Sequence, residues 1–118
     1  LSAAKLLLDA GETMIVFPEG GRQPGSRVTE LFDGAAWLAG KTGARVIPVG
    51  IAGTGAALSE GAKWIKRSTV AIVPGEPMDP PVPANGRRVT REELQDYTAR
   101  LAVELQKAQD RAEALAAS

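Results

Sequence analysis

The chain contains neither cysteine nor histidine among its 118 residues. The absence of cysteine excludes disulfide bonds, thiolate metal sites and a thiol nucleophile. The absence of histidine removes the side chain that most often acts as a general base at neutral pH. The chain by itself therefore lacks the two residue types on which much of enzyme nucleophile chemistry depends.

The chain also has no net charge, since 14 basic side chains balance 14 acidic ones. A zero net charge argues against a nucleic-acid footprint spread over the surface, although it allows a local basic pocket. The longest uncharged stretch, residues 46–59, is glycine-rich and too short to span a bilayer as a helix. No secretory signal is visible, and the first residue is not methionine, so we expect the chain to be the later part of a longer protein.

Three segments have the pattern of helices. Residues 1–12 place leucines and alanines on one face before the stop signal Gly11. Residues 29–43 predict a second helix, capped by Thr29 and ended by Gly40 or Gly43. The clearest helix spans residues 90–117, where Thr90 and Glu93 form a capping-box pattern. Its narrow apolar stripe consists of Leu94, Tyr97, Leu101, Leu105, Ala108, Ala112 and Leu115.

Three short apolar runs, residues 13–17, 44–54 and 68–75, predict strands. The second run does not alternate with polar residues, which indicates a strand covered on both faces, as in a parallel sheet. Pro48 inside that run cannot donate to a ladder, so an edge position or a bulge is expected there. The proline-rich residues 74–86 predict a stiff surface connector.

The predicted order of elements is helix, strand, helix, strand, strand, helix. This order is typical of an α/β domain with a largely parallel or mixed sheet flanked by helices. We find no internal repeat, and 118 residues are enough for a single modest core.

The stretch "MIVFPEGGRQPG" carries a predicted strand directly into a glycine turn. Ligands gather at the carboxyl ends of strands in open α/β sheets. The backbone amides of Gly20 and Gly21 can form an anion-binding concavity, and the Arg22 guanidinium matches two phosphate oxygens. Glu19 could hold Arg22 or accept a bond from a neighbouring substrate hydroxyl. These parts suit a phosphate monoester, whereas the alternative interpretation is an ordinary polar turn with a solvated arginine.

The segment "FPEGGRQ", residues 17–23, resembles the "FPEGTRS" block of the glycerolipid acyltransferases, the PlsC-like 1-acylglycerol-3-phosphate acyltransferase family. Residues 31–54, "LFDGAAWLAGKTGARVIPVGIAGT", are similar in register to the segment that follows that block, and the likeness continues over nearly the whole chain. It implies that Glu19, Gly20, Gly21 and Arg22 bind the phosphate of the acceptor. Gly21 and Gln23 stand where the family has Thr and Ser, and Asp33 replaces a basic residue.

The family's fourth block corresponds to residues 46–51, with a signature proline at Pro48. The resemblance implies that this block shapes the floor of the site or the acyl pocket, and a plain core strand is the alternative. The residues concerned are Val46, Ile47, Pro48 and Val49.

The resemblance implies transfer of a fatty acyl group from acyl-CoA or acyl carrier protein to lysophosphatidic acid or a similar acceptor, in phospholipid biosynthesis. The family's His-x-x-x-x-Asp motif precedes the "FPEG" block and is absent from this chain. We therefore expect residues 1–118 to be the C-terminal portion of a single acyltransferase domain, inactive alone, with no cofactor or metal.

A lipid acceptor implies a peripheral protein at the cytoplasmic side of a membrane, with no nucleic-acid partner. Trp37, Trp64 and the basic cluster Lys63–Arg67 are candidate membrane contacts, although core or solvated positions suit them equally. Two alternatives to the enzyme are a non-catalytic relative that binds phospholipid headgroups and an unrelated α/β module whose last helix docks a partner.

Overall fold

The computed structural model describes residues 2–16, 33–53 and 70–117. Within these ranges the chain forms three helices and two strands. In chain order they are α1 (Ser2–Asp9), α2 (Gly34–Thr42), β1 (Val49–Ala52), β2 (Ala71–Pro74) and α3 (Arg91–Ala117).

Helix α1 ends as the sequence predicts, because Gly11 has a φ of 87°, a left-handed conformation that suits glycine. The strand predicted for residues 13–17 is not seen in residues 13–16, which have no regular structure, while residue 17 lies outside the described ranges. Ile15 is 85% exposed and Val16 is 50% exposed. A β-prone run becomes a strand only where another strand pairs with it, and the described strands pair with each other.

Helix α2 ends at Gly43 rather than at Gly40. Gly43 has a φ of 72°, and its N–H donates to the carbonyl of Ala39 at 2.8 Å. Gly40 has a packing role instead, since a Cβ there would lie 3.3 Å from Pro81 and 3.5 Å from Val89. The predicted cap Thr29 lies outside the described residues; the residue at the start of the helix is Asp33.

Strands β1 and β2 form an antiparallel pair in which Val49 faces Pro74 and Ile51 faces Ile72. A further bridge joins Val46 to Met78. Between the bridge and the strands, residues 47–48 lie opposite residues 75–77, so the second segment carries one extra residue. The ladder is therefore interrupted beside Pro48, which agrees with the irregular pairing that a proline predicts. The mixed α/β class is confirmed, although this described pair is antiparallel.

Helix α3 covers one face of the β1–β2 sheet. Ala52, Ala71 and Ala112 form a buried cluster against which Val73 and Ala116 pack. The apolar stripe of the helix is confirmed as its buried side over most of its length, because Tyr97, Leu101, Ala108 and Ala112 are at most 2% exposed. Leu115, the last residue of the stripe, is 56% exposed. The burial pattern of β1 alternates, so the predicted coverage of both faces is wrong for this strand in the chain.

Residues 75–90 form the connector between β2 and α3. Apart from the bridge at Met78 they contain no helix or strand, as the prolines predict. Pro81 is nevertheless buried, whereas Val82 beside it is 76% exposed. The connector therefore packs against the rest of the chain at Pro81, which lies beside Gly40 of α2.

Candidate active site

The four predicted phosphate-binding residues, Glu19, Gly20, Gly21 and Arg22, lie outside the described residues. Their proposed role stays a prediction. Trp64 and the basic cluster Lys63–Arg67 also lie outside the described ranges. Trp37 is half-buried, and the Nζ atom of Lys41 lies 6.0 Å from the centroid of its ring.

The second predicted group lies at the entry to β1, and its members alternate between the two faces of the sheet. Pro48 is fully buried, and its carbonyl accepts a hydrogen bond of 2.7 Å from the N–H of Gly75. Val46 exchanges two backbone hydrogen bonds with Met78, at 2.9 and 2.7 Å. Ile47 and Val49 are 54% and 41% exposed. Two of the four residues can therefore touch a ligand, while Val46 and Pro48 support them.

The exposed side chains of Ile47 and Val49 continue into an apolar sheet face. Ile51 is 42% exposed, and Ile72 opposite it is 66% exposed. We call the set Ile47, Val49, Ile51 and Ile72 the open sheet face. Because α3 covers only the opposite face, the open sheet face remains available for contact with apolar groups.

On the covered face, β1 lies unusually close to α3. A Cβ on Gly50 would overlap the carbonyl group of Ala108 and lie 2.6 Å from the amide nitrogen of Gln109. The same corner holds Gly75, where a Cβ would lie 3.1 Å from Pro48. Glycine at these two positions is what lets strand and helix backbones approach.

Gln109 forms a second connection between α3 and β1. Its Oε1 accepts a hydrogen bond of 3.0 Å from the N–H of Ile51, and its Nε2 donates to the carbonyl of Ile51 at 2.8 Å. Nε2 also donates to Glu113 at 3.0 Å. Sequence reasoning missed this contact, because a glutamine beside an apolar stripe looks like any other solvated helix residue.

Two groups on α3, Glu93 and Tyr97, have pKa values shifted by their surroundings. The Glu93 carboxylate accepts hydrogen bonds from the N–H groups of Thr90 and Ala84, which lower its pKa below the ordinary value. Burial raises the pKa of Tyr97, and the positive charge of Arg100 opposes that shift. The Tyr97 hydroxyl has no hydrogen-bond partner in the described structure. Within the same ranges, no cluster of three acidic side chains is placed to hold a metal ion.

Comparison with known proteins gives two findings. Residues 1–52 match the family named Acyltransferase. The chain is also similar to the crystal structure of PlsC, the 1-acyl-sn-glycerophosphate (LPA) acyltransferase from Thermotoga maritima, with 31% sequence identity and a TM-score of 0.68. In fold, the chain is similar to PlsC. The family resemblance that the sequence predicts is confirmed, and no curated protein matches the chain.

The similarity covers 92% of this chain but 42% of PlsC, so the chain spans less than half the length of that acyltransferase. The Acyltransferase match includes both candidate site segments, residues 19–22 and 46–49. None of the described helices is apolar over a length that would cross a bilayer.

The acyltransferase resemblance makes Asp33 unusual, because the family has a basic residue at this position. In this chain the Asp33 carboxylate accepts a hydrogen bond of 2.6 Å from the hydroxyl of Thr98, which is 8% exposed. Its backbone carbonyl accepts from the N–H of Trp37 at 2.8 Å. Asp33 thus ties the first turn of α2 to α3, a role that no local sequence pattern indicates.

Proposed function

We propose that this chain is a portion of a glycerolipid acyltransferase that acylates the free hydroxyl of lysophosphatidic acid or a similar lysophospholipid or glycerol phosphate. The similarity to PlsC over nearly the whole chain is the observation that supports this proposal. The Acyltransferase match over the segment that contains residues 19–22 agrees with it.

The phosphate of the acceptor binds at residues 19–22 in this proposal. The amides of Gly20 and Gly21 and the Arg22 guanidinium supply donors to the phosphate oxygens, while Glu19 orients Arg22 or a substrate hydroxyl. Gly21 lacks the hydroxyl of the family's threonine, and its N–H takes over part of that role. The acyl donor is a thioester of coenzyme A or acyl carrier protein, and no cofactor or metal takes part.

In this proposal the base is the family's histidine, and this chain contains no histidine. The family's His-x-x-x-x-Asp pair, in a preceding segment, takes the proton from the acceptor hydroxyl. The oxygen then bonds to the thioester carbonyl carbon, the carbon–sulfur bond breaks, and the protonated histidine gives its proton to the leaving sulfur, which departs as the free thiol. We therefore expect residues 1–118 alone to show no turnover.

The protein acts as a peripheral protein at the cytoplasmic side of the membrane.

The test is Arg22→Ala in the full-length protein, assayed with a long-chain acyl-CoA and 1-acylglycerol 3-phosphate. A charged hydrogen bond that is partly shielded from water contributes roughly 1.5–3 kcal/mol, so kcat/KM for the acceptor falls roughly 10- to 150-fold. Arg45→Ala is the matched control, because Arg45 pairs with Asp79 at 3.3 Å and is 64% exposed. A change below about twofold for Arg22→Ala contradicts the phosphate role.

The second candidate is a non-catalytic relative that binds phospholipid headgroups, which a full-length sequence without the His-x-x-x-x-Asp motif would favour. The two candidates differ in the preceding segment. A full-length protein that lacks the His-x-x-x-x-Asp motif, and that binds vesicles containing phosphatidic acid without turnover, is the headgroup-binding relative.

A further inference from the structure

At Ile51, the side chain of Gln109 covers the edge of β1 that faces away from β2. In an antiparallel pair, the N–H and C=O of one residue point to the same side. The Gln109 side chain accepts a hydrogen bond of 3.0 Å from the N–H of Ile51 and donates one of 2.8 Å to the C=O of Ile51. A primary amide offers the same donor and acceptor as a peptide group, so Gln109 reproduces the hydrogen bonds of a neighbouring strand.

The position of this contact limits where β1 can move. Gly50, the neighbour of Ile51, lies directly on the α3 backbone at Ala108. Pro48, two residues earlier, is fully buried and bonded to Gly75. The strand is therefore held twice: Gly50 contacts the α3 backbone on one face, and Gln109 bonds Ile51 at the edge. Together these contacts fix the distance of β1 from α3 and its orientation about its own axis.

The side chains fixed in this way are those of the open sheet face. Val49 and Ile51 flank Gly50 and project to the side opposite α3, where they are 41% and 42% exposed. An apolar surface of this kind suits the methylene chain of a fatty acyl group, whereas it offers no side-chain donors to a phosphate.

We propose that Gln109 is a positioning residue that takes the place of a β-strand at Ile51 and thereby sets the depth of the acyl-chain surface formed by Val49 and Ile51. The claim about the acyl-chain surface rests on the proposed acyltransferase function, and the substrate group concerned is the acyl chain of the donor thioester. The claim that Gln109 replaces a strand at Ile51 does not depend on any activity.

The test compares Gln109→Met with Glu113→Gln in the full-length protein. Methionine keeps the length of the side chain and removes both hydrogen bonds to Ile51. Glu113→Gln alters the neighbour that accepts from Nε2 but leaves the Ile51 bonds in place. Hydrogen exchange of the Ile51 amide is followed by nuclear magnetic resonance. We expect the Ile51 amide to exchange roughly tenfold faster in Gln109→Met, because it loses the free energy of about one net hydrogen bond. In the control variant its exchange rate changes by less than about twofold.

The second measurement is the ratio of kcat/KM for a 16-carbon over a 10-carbon acyl-CoA, taken well below the melting temperature. Displacement of the acyl-chain surface lowers this ratio by roughly fivefold in Gln109→Met, since fewer methylenes are buried against it. General destabilisation lowers both rates equally and leaves the ratio unchanged.

Each outcome decides one half of the proposal. Unchanged exchange at Ile51 overturns the strand-like contact. Faster exchange with an unchanged chain-length ratio overturns the positioning role. A wild-type protein that contains the histidine motif and turns over none of the donors overturns the proposed function and the positioning role together, while the exchange rates still decide the contact.

Discussion

At the scale of single residues, the packing of this chain depends on a glycine, Gly50, at the contact between β1 and α3. Gly50 has no Cβ, and the space a Cβ would fill is occupied by the carbonyl group of Ala108. Ala108 on the facing helix is itself small and fully buried. Because both positions are small, a strand and a helix meet at backbone distance, which carries Gln109 within reach of Ile51.

Substituting Gly50 with alanine forces β1 and α3 apart. We expect a loss of roughly 1–3 kcal/mol in the free energy of unfolding, as in other overpacked sites, measured by urea denaturation. Gly34→Ala is the matched control, because a Cβ at Gly34 meets nothing within 4 Å. That variant sits in the first turn of α2, where alanine is neutral or stabilising by up to about 1 kcal/mol. Equal stabilities of the two variants would show that β1 and α3 do not touch at Gly50.

At the scale of elements, the start of α3 is determined by its own sequence. The N–H of Thr90 donates to Glu93 at 3.0 Å, and the N–H of Glu93 donates back to the Thr90 hydroxyl at 3.1 Å. The second carboxylate oxygen of Glu93 accepts from the N–H of Ala84 at 2.9 Å. The capping box therefore also fastens the end of the connector to the helix, which the sequence pattern alone does not show.

This arrangement predicts a pH dependence at the start of α3. Backbone hydrogen bonds from Thr90 and Ala84 hold the pKa of Glu93 below its ordinary value of 4.5. A carboxyl whose pKa is lowered on folding contributes its stability above the ordinary pKa and loses it as the pH falls through the folded value. The contribution of Glu93 is therefore complete near neutral pH and disappears on acidification below 4.5.

The measurement is the amide proton chemical shift of Ala84 and Thr90 between about pH 7 and pH 2, a range that brackets the unperturbed glutamate pKa. We expect both shifts to titrate together with a midpoint below 4.5 in the wild type. In Glu93→Gln the titration disappears, whereas Glu92→Gln retains it. A midpoint above 4.5 in the wild type would refute the hydrogen-bonded carboxylate.

At the scale of the whole molecule, one face of the β1–β2 sheet is buried and the other is exposed. Ala71 is 8% exposed beneath α3, and its neighbour Ile72 on the open sheet face is 66% exposed. Along the described chain, Leu6 and Ile15 are also exposed, at 70% and 85%. Apolar surface of this extent is typical of a face that contacts another protein segment or a lipid.

Lysine substitutions distinguish the two faces in the 118-residue chain. Ile72→Lys changes the free energy of unfolding by less than about 0.5 kcal/mol, because the site is already in water, and it lowers the fluorescence of bound anilinonaphthalene sulfonate. Ala71→Lys buries a charge against α3 and prevents cooperative folding. Loss of folding in both variants would mean that the open sheet face is covered.

The sequence by itself determined the features that depend on neighbours along the chain. The capping box of Thr90 and Glu93 and the apolar stripe of α3 follow from local rules of helix geometry and hydrogen bonding, whereas the sequence left the end of α2 open between Gly40 and Gly43. The likeness to the acyltransferases was visible in the same way, because its motifs are contiguous.

Only the tertiary structure decided which segments meet. Residues 13–16 have the composition of a strand and are not one among the described residues, since a strand requires a partner that composition does not name. Thr98 meets Asp33, 65 residues away along the chain, and Gln109 meets Ile51, 58 residues away. Such contacts depend on how α3 lies across the β1–β2 sheet and α2, and that placement is set by the summed burial of many side chains rather than by any one of them.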